Sequence, residues 1–224
     1  MELYPLLKTT HILLIATWFG IDLAVATCGS LVRNRELTLE ARGAFGRLRR
    51  LLDLGPQVSM LLTVPVALAL VMLGRWATIP EGLQPAVWWV AVIAAIVWAM
   101  VAAYGLVRPA AWNSTLGGLD VVIRVVIALA FLVPAVLGLA GGPGFGALWL
   151  DLKSLIFGVL VLCMVWVRLA TRDTTATVDS IAGGDDSQTR ENSLDGQLAA
   201  VRLPVAIIWA GIVVNVFLAV LRVG

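Results

Sequence analysis

Three ionisable residues sit inside one apolar stretch near the start of the chain. In "LLKTTHILLIATWFGIDLA" (6–24) these are Lys8, His11 and Asp22, and His11 is the single histidine of the sequence. An imidazole can ligate a metal or a haem iron, or relay a proton. An ammonium can meet a carboxylate, and a buried carboxylate can carry a proton. A second polar cluster opens a later apolar stretch, where "WLDLKSLIFG" (149–158) carries Asp151 and Lys153. Charge at membrane depth is costly and is kept where it faces the protein interior, so each of these residues is a functional candidate.

Helical geometry groups the first set. At about 100° per residue, Lys8, His11, Trp18 and Asp22 fall within an arc of roughly 80°, with Ile15 the one apolar member between them. The opposite face, Leu13, Ala16, Thr17, Gly20 and Ala24, is mostly small and suited to close helix packing. The stripe therefore points at other helices. Trp18 is either a cofactor wall or ordinary core.

The elements that must position these groups are membrane helices. Of 224 residues, 60% are hydrophobic and 13% charged, and the mean hydropathy is +0.96. A soluble domain of this size could not bury that much apolar sequence. Six stretches reach spanning length, at 5–32, 51–73, 85–107, 119–139, 148–169 and 203–220. The fold expected is an all-α polytopic bundle of about six transmembrane helices, one integral membrane domain over 1–224. The first stretch is too long for a cleaved signal and is expected to remain as the first helix. Nine Trp against two Tyr suit interfacial anchoring. A formal charge of +2 is too small to indicate nucleic acid. Cys28 and Cys163 both lie in apolar stretches and suggest no disulfide framework.

Arginine sets the expected orientation. With the N-terminus outside, the inner loops and helix ends collect twelve of the Lys and Arg residues and the outer side four. Both termini then face outward. The 33–50 segment, with six Arg and two Glu, becomes a basic cytoplasmic loop. The 171–197 segment, rich in Gly, Ser and Asp, reads as a flexible cytoplasmic loop. The same topology puts Lys8, His11, Asp151 and Lys153 at the outer end. Asp22 lies deeper, with Arg124 or Arg50 as its expected partner. Asp120 and Arg124 form an i,i+4 pair near the inner surface, Asp53 follows Arg49 and Arg50, and Asn215 is expected to make an interhelical hydrogen bond.

Several segments resemble a known family. "LKTTHILLIATWF" is similar to the K-x-x-H-i-x-x-x-x-x-W-f opening of the HemJ-type protoporphyrinogen oxidases and the related CopD-like copper-resistance membrane proteins. "RRLLDLGPQVSMLLTVPVAL" (49–68) resembles their second helix. "WLDLKSLIFGVLVL" (149–162) resembles the W-l-H-x-K-l-x-L-v opening of a later one, and "RLPVAIIWAGIVVNVFLAVL" (202–221) a last helix that begins near N-E-x-P. The third and fourth helices would be an insertion. The resemblance implies that His11 matches the haem-associated histidine and that Lys8 and Lys153 match the family's lysines. Asp151 stands where the family has a second histidine. Of N-E-x-P only Pro204 remains, with Arg202 at the glutamate position.

Three readings follow. In the first, a membrane redox protein binds b-type haem or a porphyrin between the first and fifth helices. His11 is the axial ligand, Lys8 and Lys153 meet carboxylates, Trp18 lies beside the cofactor, and Asp22 and Lys153 serve the chemistry. In the second, a CopD-like protein takes copper through His11 and Asp151 and passes it toward Met60, Cys28 and Cys163. In the third, a non-catalytic subunit anchors a partner through its basic and polar loops. All three place the chain in a lipid bilayer, as a multi-pass protein of a bacterial inner (plasma) membrane. A redox role would need a membrane electron-transfer partner, and oligomerisation stays open.

Overall fold

The computed structural model describes residues 3–76, 79–107, 115–185 and 187–221, and every regular element among these residues is a helix. Arg108 and Arg222, both used to assign orientation, and the 108–114 connection lie outside those residues.

Helix α1 runs Leu3–Arg33. At 1.5 Å per residue its 31 residues are longer than the roughly 30 Å hydrocarbon core. Helix α2 (Leu39–Leu52) starts at Thr38, whose hydroxyl accepts the Ala41 N–H at 3.2 Å as an N-cap. Asp53 caps its end and leads into α3 (Leu54–Leu73). A short 3-10 turn (Glu81–Leu83) precedes α4 (Gln84–Val107). Then come α5 (Thr115–Leu139), α6 (Leu148–Ala170), α7 (Thr174–Ala182), α8 (Gln188–Ala200) and α9 (Arg202–Leu221).

Six of these helices, α1, α3, α4, α5, α6 and α9, are long and apolar enough to cross a membrane. The protein is therefore an all-α, multi-pass bundle. Its exterior is apolar, as a lipid solvent requires: Ile93, Ile96, Val97 and Met100 of α4 are all exposed. Small residues set the close approaches. A Cβ on Gly158 would meet the Leu132 side chain and the Ala128 carbonyl, and one on Gly211 would meet Leu160. Helix α1 packs on α2 and α3, and α6 on α5 and α9. The common core holds Trp18, Met60, Leu160, Val161, Ile208 and Ile212.

Two segments differ from the sequence reading. The 33–50 segment contains most of α2, and the 171–197 segment, expected as a flexible loop, folds into α7 and most of α8. The reason is a small second core. Val178 and Ile181 of α7 and Leu194 and Leu198 of α8 recur at helical spacing and pack with Val32, against Leu39 and Phe45. Gly43 and Gly46 of α2 admit Ala182 and Val178, which any side chain there would strike. Charge completes the assembly. Arg42, 3% exposed, donates to both carboxylate oxygens of Glu191 at 2.6 and 2.8 Å and to the Val32 carbonyl at 2.7 Å. Arg33 and Arg35 bind Asp195 at 2.9 and 3.2 Å. Helices α2, α7 and α8 thus form a cap over one end of the bundle.

Candidate functional site

The alternation of six spans puts the start of α1, the start of α6 and the end of α9 at one face, the His11 end. The cap and most arginines lie at the other. The residues singled out in the sequence separate accordingly.

At the His11 end, the imidazole Nδ1 is buried and has no hydrogen-bond partner. Lys153, half-buried on α6, is near enough to act on His11 electrostatically. Asn215 of α9, expected to make an interhelical hydrogen bond, instead has a buried Oδ1 that also lacks a partner. By helical rise, His11, Lys153 and Asn215 lie about 12, 8 and 9 Å from the ends of their helices at this face. Buried polar atoms are rarely left unbonded, so two at similar depth in one end of a bundle are exceptional. The principal neighbours of α1 are α2 and α3, and those of α6 are α5 and α9.

Aromatic rings roof this end. Trp76 stands edge-on to Tyr4 of α1 at 6.2 Å and to Trp149 of α6 at 5.3 Å. The Lys153 Nζ lies 5.9 Å from the Trp149 ring centroid. The turn that presents Trp76 is built for it. Arg75 adopts φ 54°, a left-handed conformation costly for a side-chain-bearing residue, and a Cβ on Gly74 would run into the indole.

Two other candidates at this end are placed differently. Lys8 is exposed on α1. Asp151 is buried, but its Oδ1 accepts the Phe145 N–H at 2.7 Å and its carboxylate fills the space left by Gly138 and Gly144. It fastens the α5–α6 turn and is not shared with His11. Among the described residues no three of His, Cys, Asp and Glu come together, and Cys28 and Cys163 are buried free thiols.

At the arginine end, Asp22 accepts the Trp209 indole N–H at 2.8 Å, so its partner is neither Arg124 nor Arg50. It is 11 residues from His11, about 16 Å along the helix, with Trp18, 3% exposed, between them. Asp120 is fully buried and pairs with Arg124 at 2.9 Å, as the i,i+4 spacing suggested. It also accepts the Trp98 indole N–H at 2.6 Å and stands 3.8 Å from Arg168. Arg124 reaches on to Gln57 at 3.0 Å and lies over the Trp98 ring at 4.8 Å. Asp53 accepts from Gln57 at 2.8 Å. A cavity of about 600 Å3 opens among these groups, between the bundle and the cap. Trp18, Asp22 and Trp209 are in its wall, together with eight arginines.

Trp209, Trp76 and Glu191 are residues that sequence reasoning passed over, and Asn215 was noted there only for a hydrogen bond between helices. Asn215 alone carried a signal, a polar amide in a helix otherwise free of one. No protein-family model, curated protein or solved structure matches the chain.

Proposed function

We propose that this membrane protein binds a haem or a related porphyrin at the His11 end, between α1 and α6, and serves a redox role in the bilayer. The observation that carries the reading is the buried, unpartnered Nδ1 of His11, at the same end of the bundle as Lys153. A buried imidazole nitrogen with no protein partner is suited to an axial metal ligand.

The residues fit such a group in other respects. Lys153 offers a cation to a propionate, the counter-charge a dicarboxylate ring needs in an apolar site. The unpartnered Asn215 oxygen can accept one further hydrogen bond. Tyr4, Trp76 and Trp149 close the end toward the aqueous phase, and flat rings of this kind suit a planar ligand. Lys8, exposed, would contribute field rather than contact. Bound haem would supply one-electron chemistry; the chain's own part is to ligate, neutralise and exclude water. Asp22 lies too far along α1 to exchange a proton with this site directly.

The absorption spectrum of the detergent-purified protein, before and after haem is added, tests the reading. A Soret band that His11→Ala abolishes is expected. No band after haem addition, or a band that His11→Ala leaves unchanged, refutes it.

A further inference from the structure

The cavity at the arginine end has an unusual charge balance. Eight arginines line it, against Asp22, Asp53 and Asp179. Two carboxylates just outside the wall help: Asp120 serves Arg124 and Arg168, and Asp195 serves Arg33. With these two added, five carboxylates stand against the eight guanidinium groups of the wall, of which Arg168 and Arg172 have further interactions. Arginine cannot relieve the excess by losing a proton. Concentrated positive charge beside low-dielectric walls calls for an anion.

Two adjacent arginines of this wall stand out. Arg49 and Arg50 are the last basic residues of α2, at the mouth between bundle and cap. The Nε of Arg50 is buried and has no hydrogen-bond partner. The Arg49 side chain lies over Gly29, where a Cβ would come within 3.6 Å of its Nε. The glycine leaves room on α1 for that side chain. Between them these two forks offer planar, paired donors, the geometry that phosphate oxygens match. Val25, Val205 and Ile208 give the wall an apolar part, beside the hydroxyls and amide of Ser30, Thr171, Thr174 and Gln57. A ligand that satisfies both halves has a phosphate at one end and a hydrocarbon part at the other.

We infer that this cavity is a binding site for a phosphate-bearing amphiphile, with Arg49 and Arg50 holding the phosphate. The site is separate from the His11 end and does not depend on haem being bound. A membrane phospholipid and a soluble prenyl or acyl phosphate share the required chemistry.

The test uses the full chain in a neutral detergent, with the thermal unfolding midpoint and native mass spectrometry as readouts. The probes are dioleoyl phosphatidate, dioleoyl phosphatidylcholine and farnesyl phosphate, at matched concentration and constant ionic strength. Retention of phosphatidate or farnesyl phosphate above phosphatidylcholine, with a raised midpoint, is the expected result. Which of the two binds more tightly identifies the source. Arg50→Gln should weaken binding about tenfold, the loss of one charge-assisted hydrogen bond. Arg49→Gln is a parallel variant should Arg50→Gln not fold, and Arg75→Gln, at the opposite end, should bind like the parent. Equal retention of all three probes, or undiminished binding in both Arg49→Gln and Arg50→Gln, overturns the inference.

Discussion

Glu191 holds Arg42 by two hydrogen bonds across 149 residues of sequence, with both side chains almost fully removed from solvent. Arg42 also donates to the Val32 carbonyl at the end of α1. One guanidinium thus joins α1, α2 and α8. Removing one partner of such a pair leaves an uncompensated buried charge.

Glu191→Leu is therefore expected to cost about 3–5 kcal/mol, and Arg42→Met with Glu191→Leu together to recover much of that loss. Asp195→Ala, which breaks only the half-exposed contacts to Arg33 and Arg35, should cost about 0–1 kcal/mol. Thermal unfolding of the three variants in detergent orders them. Equal midpoints for Glu191→Leu and Asp195→Ala would contradict the assignment.

Asp120 has a comparable role inside the bundle. It anchors Arg124, accepts from Trp98 and faces Arg168. Asp120→Ala should destabilise by about 3–5 kcal/mol. Trp98→Phe removes only one donor and should cost about 1–3 kcal/mol. The midpoints of the two variants, read side by side, check the order.

Asp151 and His11 make opposite predictions. Asp151→Ala leaves the Phe145 N–H without its acceptor and should cost about 1–3 kcal/mol of stability. Because the carboxylate is committed to the α5–α6 turn, any haem spectrum should survive the change. A lost Soret band in folded Asp151→Ala protein would return Asp151 to the ligand site.

The cap carries a pH dependence at its α7–α8 turn. The Ser187 hydroxyl and then Arg190 hold the exposed Asp185 carboxyl below its ordinary value of 3.8. Its folded-state value is depressed, so its contribution is present above about 3.8 and is lost as pH falls through the lower folded value. Ser187→Ala should move the Asp185 titration up toward the ordinary value, as followed by carboxyl-carbon NMR. An unmoved titration would show that the hydroxyl is not the cause.

The spans were legible because lipid imposes one long apolar pattern on each. The cap was not, although Val178, Ile181, Leu194 and Leu198 have helical spacing, because Asp, Ser and Gly dominate the composition around them. Helical periodicity on α1 grouped Lys8, His11, Trp18 and Asp22, but it could not show how far along the axis each acts. Asp22 and Trp209 are 187 residues apart, and no local pattern announces such a bond. Asp120 and Arg124 were readable as a pair because they share one helix turn. Asp151 was a ligand candidate because topology put it at the same end as His11, at the position of the resembled family's second histidine; Gly138 and Gly144, which make room for its carboxylate, signify nothing until the turn is folded.

Trp18 takes on a different meaning in this arrangement. Polar groups gather at both ends of the bundle, and water can follow polar groups inward from either face. The indole, with Ile15, Met60 and Leu160 around it, lies between the two. Its ring closes the inner end of the arginine-lined cavity with apolar surface, so the polar groups of the two ends are divided by a dry layer one side chain thick.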